Sequence, residues 1–201
     1  MALAPVLLIH GIDDSVRLFR RMQPFLEQRG FSVHSFNLTP NDGKASLSRM
    51  AQQVESYVRE RLAKDEAFDL VGFSMGGMIA RYYVQRLGGL ARVRRFITIA
   101  APHRGTWSAY LRNNPGARDM RPGSSFLRDL DRDADTLGRL SFTSIWTPLD
   151  LMIVPSTSSR LGVGRSIPVL SLAHPLMVRD RRVLRLVEGI LSGNPPASRP
   201  G

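Results

Sequence analysis

Six short runs rich in β-branched and aromatic residues recur along the chain, at Val6 to Ile9, Phe31 to Leu38, Leu70 to Phe73, Phe96 to Ala100, Phe142 to Trp146 and Ile167 to Leu172. Most are continuously apolar rather than alternating, the pattern of strands covered on both faces. Between them lie amphipathic stretches at Val16 to Gln28, Ala45 to Lys64, Gly77 to Leu87 and Leu176 to Leu191, several closed by glycine. Strands alternating with helices predict an α/β fold with a mostly parallel, doubly wound sheet of about six strands. Ligands of such sheets gather beyond the carboxyl ends of the strands.

Residues Pro102 to Leu140 interrupt this rhythm as one long link, with Ser124 placed to cap a short helix through Leu130. A single domain over residues 1–191 is expected, the 102–140 link forming at most a small lid. The Pro/Ser/Gly-rich end, residues 192–201, is expected to fray.

Composition narrows the classes. The formal net charge is +11, and all but Lys44 and Lys64 of the 28 basic side chains are arginines. No helix-turn-helix, zinc or aromatic-basic motif accompanies that charge, so nucleic acid is not an expected partner. The absence of cysteine removes disulfides, thiolate metal sites and a cysteine nucleophile together. There is no Walker motif, no dinucleotide fingerprint and no His-Glu-x-x-His, so neither cofactor nor metal is implied. The apolar start lacks a basic leader region and a small-residue cleavage site, and no run approaches a membrane span. A cytoplasmic monomer is the default expectation, with an anionic membrane surface as a candidate partner for the basic face.

The most informative motif is Gly72-Phe73-Ser74-Met75-Gly76, which follows an apolar run and opens a helical stretch. A serine on a strand-to-helix turn needs small residues two before and two after it, which Gly72 and Gly76 supply. The turn exposes the hydroxyl above the sheet edge and aims the first amides of the helix toward it.

With this elbow, with Leu7-Leu8-Ile9-His10-Gly11-Ile12, and with Thr143-Ser144-Ile145-Trp146 leading to Asp150, nearly the whole chain resembles the α/β-hydrolase superfamily, most closely small bacterial lipases and esterases. The resemblance implies a nucleophile, acid, histidine order. Ser74 is then the nucleophile, and His174, after the last strand, the base. Asp150, past the fifth strand, is preferred as acid to Asp129, Asp131, Asp133 and Asp135, which read as a solvated charged face among arginines. The amides of Ile12 and Met75 would form the oxyanion hole. Of the remaining histidines, His10 is expected to brace its loop and His34 to pack within a strand. His103, in Ala101-Pro102-His103-Arg104-Gly105, is expected at the site's rim or fixing its loop.

The implied chemistry is hydrolysis of carboxylic esters, with lipid or acyl esters favoured by an apolar rim of Ile12, Met75, Leu149, Leu151, Met152, Leu176 and Met177, with Trp107 and Tyr110 in the long link. An acyl thioesterase or acyltransferase on the same groups is the alternative. A different class of reading is a non-catalytic, hydrolase-like protein docking on an anionic surface. Arg104, Arg112, Arg118 and Arg121, with Arg179, Arg181 and Arg182, follow strands and are expected toward the site's rim; Arg92, Arg94 and Arg95 precede one and should face away.

Overall fold

The computed structural model describes residues 3–194. The six strands, β1 (Val6–Ile9), β2 (Val33–Ser35), β3 (Phe68–Phe73), β4 (Val93–Ile99), β5 (Ser141–Trp146) and β6 (Arg165–Pro168), form one all-parallel sheet in the order β2-β1-β3-β4-β5-β6. Leu8 lies beside Val71, Val71 beside Ile97 and Ile97 beside Thr143. The interior strands read correctly because both faces are covered, so nearly every residue of β1 and β3 is buried. The edge strands β2 and β6 are only half buried and shorter than their apolar runs suggest.

Strand alternation divides the core in two. Leu7, Ile9 and Leu70 pack toward α2 (Leu47–Arg61) and α3 (Met75–Arg86), whereas Val6, Leu8, Val71 and Ile97 pack toward α1 (Met22–Glu27) and α6 (Arg181–Leu191). In α6 the buried set Val183, Leu184, Val187, Ile190 and Leu191 follows helical spacing, and Asp180 caps the helix by accepting from the Arg182 amide.

Two expected helices are divided. Residues Val16–Phe19 form a 3₁₀ turn separate from α1, since a continuous helix would require an amide hydrogen at Pro24, which has none. The last helix begins at Arg181, and a separate 3₁₀ turn, His174–Arg179, precedes it. The long link carries α4 (Pro115–Asp119) and α5 (Ser125–Asp131), the latter capped by Ser124.

The aspartates of that link are more than a solvated face. Arg81 of α3 is fully buried and donates to Asp131 (2.8 Å), to Gln85 (2.8 Å) and to the Leu130 and His103 carbonyls, while Asp129 and Asp133 grip Arg86. These contacts tie the link to α3. No described helix is long and apolar enough to cross a membrane. Of the tail expected to fray, residues 195–201 lie outside the described residues.

Candidate active site

Ser74 joins β3 to α3 with φ 53° and ψ −125°, a backbone conformation that L side chains rarely adopt. Its amide donates to the Ile99 carbonyl (2.8 Å), which pins the turn to the neighbouring strand. The flanking glycines are sterically required. A Cβ on Gly76 would lie 2.3 Å from the His10 carbonyl oxygen, and one on Gly72 would lie 2.6 Å from the Cα of Gly77. Gly77 is equally constrained, since its Cβ would meet that of Ala101 at 2.5 Å; the pentapeptide does not reveal this third requirement.

Beyond the carboxyl ends of β5 and β6, on the same edge of the sheet as Ser74, Asp150 and His174 meet in a buried hydrogen bond, Nδ1 to Oδ2 at 2.8 Å. The second carboxylate oxygen of Asp150 accepts from the amides of Met152 and Ile153, both at 2.9 Å. A carboxylate so engaged accepts only, so Nδ1 of the imidazole is the donor of this bond and Nε2 is turned away from Asp150. That Nε2 is buried and has no partner among the described residues. The imidazole also rests against the Phe73 ring, with centroids 4.8 Å apart. His174 lies further from its strand than expected: β6 stops at Pro168, and the chain turns at Ser171, whose carbonyl is caught by the Thr147 hydroxyl (2.9 Å).

Ser74 and His174 open into one cavity of about 510 Å³, together with Ile12, Phe73, Ala109, Met120, Leu151 and Met152. Its polar lining includes Thr106, Ser108, Asp13, Asp14 and Arg112. Met75 is the first residue of α3, so its amide has no acceptor within the helix, and the positive end of the helix lies beside Ser74.

The rim differs from its sequence reading. Leu151 and Met152 of the expected rim line the cavity, whereas Leu149 and Leu176 are exposed outside it and Pro175 lines it instead. Met177 is fully buried in the core. Trp107 lines a different cavity, and its ring stacks on Tyr110. His103 is not at the rim at all: it is fully buried, bonded to the Thr98 hydroxyl (2.9 Å) and edge-on to Phe142. Burial in these apolar surroundings holds its pKa well below the ordinary value. His10 is buried too. Its Nε2 accepts from the Leu38 amide (3.0 Å), bracing the β1 loop, and desolvation lowers its pKa.

Asp13 and Asp14 went unread in the sequence. Asp13 takes a positive φ of 56° and pairs with Arg112 at the cavity. Partial burial raises the pKa of Asp14, opposed by the fields of His10, His174 and Arg179. Of the arginines expected at the rim, Arg112 lines this cavity, whereas Arg179 and Arg181 line another groove. Arg94 and Arg95 both pair with buried Asp69.

Residues 5–121 match the palmitoyl protein thioesterase family. The chain belongs to that family. The matched span holds Ile12, Ser74 and Met75 but stops short of Asp150 and His174. Palmitoyl-protein thioesterase 3 of Dictyostelium discoideum is 26% identical over 119 residues, which is 57% of this chain and 41% of that protein. The match therefore takes in less than half of that relative's length. Among solved structures, the mature lipase BlEst2 of Bacillus licheniformis superposes with a TM-score of 0.78 at 14% identity, covering 94% of this chain and 92% of that one. Lipase B of Aspergillus fumigatus gives 0.81 at 18% identity, over 98% of this chain and 54% of that one. These likenesses establish the α/β-hydrolase fold.

Proposed function

We propose that the protein is a serine hydrolase of acyl carboxylic esters, working through an acyl-enzyme on Ser74. The observation that carries this reading is the buried Asp150–His174 hydrogen bond that leaves Nε2 of His174 unpartnered beside the cavity into which Ser74 opens. His174 takes the proton of the Ser74 hydroxyl as Oγ attacks the carbonyl carbon, and the amides of Ile12 and Met75 stabilise the oxyanion. His174 returns that proton to the leaving group; water, activated in the same way, then frees the acid and regenerates Ser74. Asp150 keeps the imidazole in one tautomer throughout.

A long acyl chain is favoured by where the protein exposes apolar surface. Of the eleven large hydrophobic residues exposed among those described, ten lie in the loops at 107–111, 149–154 and 170–176, at the ends of β4, β5 and β6. Apolar surface gathered at one end of the sheet is what a lipid substrate would cover.

A second reading, acyl thioester hydrolysis, is favoured by the family match over residues 5–121. Both readings use the same groups, because the acyl-enzyme is identical and only the leaving atom differs. The test is the hydrolysis rate for oxoesters and thioesters of one acyl chain, each over a series of chain lengths. A kcat/KM that rises with chain length and favours the oxoester supports the first reading, and a preference for the thioester moves the assignment to the second. No covalent labelling of Ser74 by an organophosphonate, with no turnover of either series, refutes both.

A further inference from the structure

Outside the candidate active site, the most unusual feature is a groove of about 560 Å³ between α1 and α6. Six arginines line it, Arg20, Arg21, Arg29, Arg179, Arg181 and Arg185, and no carboxylate does. Arg181 and Arg185 are four residues apart and so share one side of α6. Arg20 and Arg21 come from the chain just before α1, and Arg29 from just after it.

None of the six forms an ion pair among the described residues, although seven other arginines of the chain do. The nearby acids are occupied: Glu27 accepts from Gln23 (2.9 Å), and Asp180 is bound by Arg182. Asp14, whose field reaches Arg179, faces the Ser74 cavity instead. Two of the six are further distinguished. The Nε of Arg179 is buried with no acceptor, and the Arg29 guanidinium is held over the Phe25 ring at 3.6 Å while donating to the Phe25 carbonyl. Like charges collected on one concave surface repel one another unless an anion lies between them.

We propose that this groove binds a ligand bearing two or more phosphate groups. Guanidinium forks match phosphate oxygens in pairs, so six of them on two walls can engage several phosphates at once. Pro24, Phe25 and Leu184 supply an apolar floor for the carrier of those phosphates. The volume suits a small phosphorylated molecule or a lipid headgroup rather than a polymer. The inference rests on the groove alone and stands apart from the hydrolytic reading.

The test is calorimetric titration of the full chain with inorganic tripolyphosphate. Saturable binding is expected in the parent, weakened at least about tenfold in Arg181→Gln/Arg185→Gln, since charge-assisted hydrogen bonds are lost. The variant Arg59→Gln/Arg61→Gln, which removes equal charge from α2, should change affinity less than about twofold. Arg20→Gln/Arg21→Gln repeats the test from the opposite wall should the α6 variant fail to fold. Flotation with phosphatidylcholine vesicles, with and without a bisphosphorylated inositol lipid, separates the two sources. Capture that needs the bisphosphorylated lipid and is lost in the groove variants identifies a headgroup; tripolyphosphate binding without capture identifies a free ligand. The proposal is overturned by absence of saturable tripolyphosphate binding, by equal losses in the α2 and groove variants, or by groove-dependent retention of duplex DNA in place of tripolyphosphate. Hydrolysis of a soluble ester should be unchanged in all these variants.

Discussion

The strained backbone at Ser74 has a measurable consequence for stability. At φ 53° and ψ −125° the residue lies where only glycine rests easily, and a side chain held there costs on the order of 1 to 3 kcal/mol. Ser74→Ala keeps that strain and removes the hydroxyl; Ser74→Gly removes both. Against the relief stands the greater freedom of glycine in the unfolded chain, a penalty of roughly 0.5 to 1 kcal/mol. The balance favours glycine over alanine by about 1 kcal/mol. For a domain of this size that is a rise of about 2 to 4 °C in melting temperature. The assay is chemical and thermal unfolding of the two variants side by side, a comparison in which loss of the hydroxyl cancels. Both should lack esterase activity, so the position would gain stability as it loses its chemistry. If the glycine variant unfolds at or below the alanine variant, the strain argument is wrong.

Ser74→Ala and His174→Ala should each lower turnover by about 10⁴ to 10⁶-fold, the double variant losing little more because the pair acts as a unit; stopped-flow hydrolysis of a chromogenic ester measures this. Asp150→Asn should cost about 10³ to 10⁴-fold, and a silent Asp150→Asn beside a crippled Asp135→Asn would mean that the acid is misassigned. Stability should fall on acidification below pH ~6.5, where the unfolded chain protonates a histidine that buried His103 keeps neutral in the fold. The unfolded state then binds more protons, giving a loss approaching about 1.4 kcal/mol per pH unit for that histidine. Burial lowers the His10 pKa as well, so it contributes in the same direction. Urea unfolding at pH 7.5, 6.5 and 5.5 should show the slope reduced in His103→Gln, and an unchanged slope would exclude His103 as its source.

Local pattern was enough for the sheet. The strands at Val6, Leu70, Phe96 and Phe142 announce themselves because a strand covered on both faces must be apolar throughout. The glycines around Ser74 are legible because a strand-to-helix turn leaves no room for a Cβ. Asp150 and His174 are singled out by the chain order that the resemblance to α/β-hydrolases implies, and they meet because both follow parallel strands whose carboxyl ends lie on one edge of the sheet. Not every side chain at the cavity could be read this way. That Leu149 stays outside it, and that Pro175 rather than Leu176 lines it, depend on the path of irregular loops, where no period links sequence to direction. The depth of His103, and the burial of Arg81 against carbonyls and carboxylates up to 50 residues away, required the long link to fold back on α3. The arginine groove is the extreme case: Arg20 and Arg185 stand 165 positions apart, and each alone is an ordinary exposed cation. Only the docking of α1 against α6, driven by burial of Met22, Leu26, Val183 and Val187 behind them, brings the charges together.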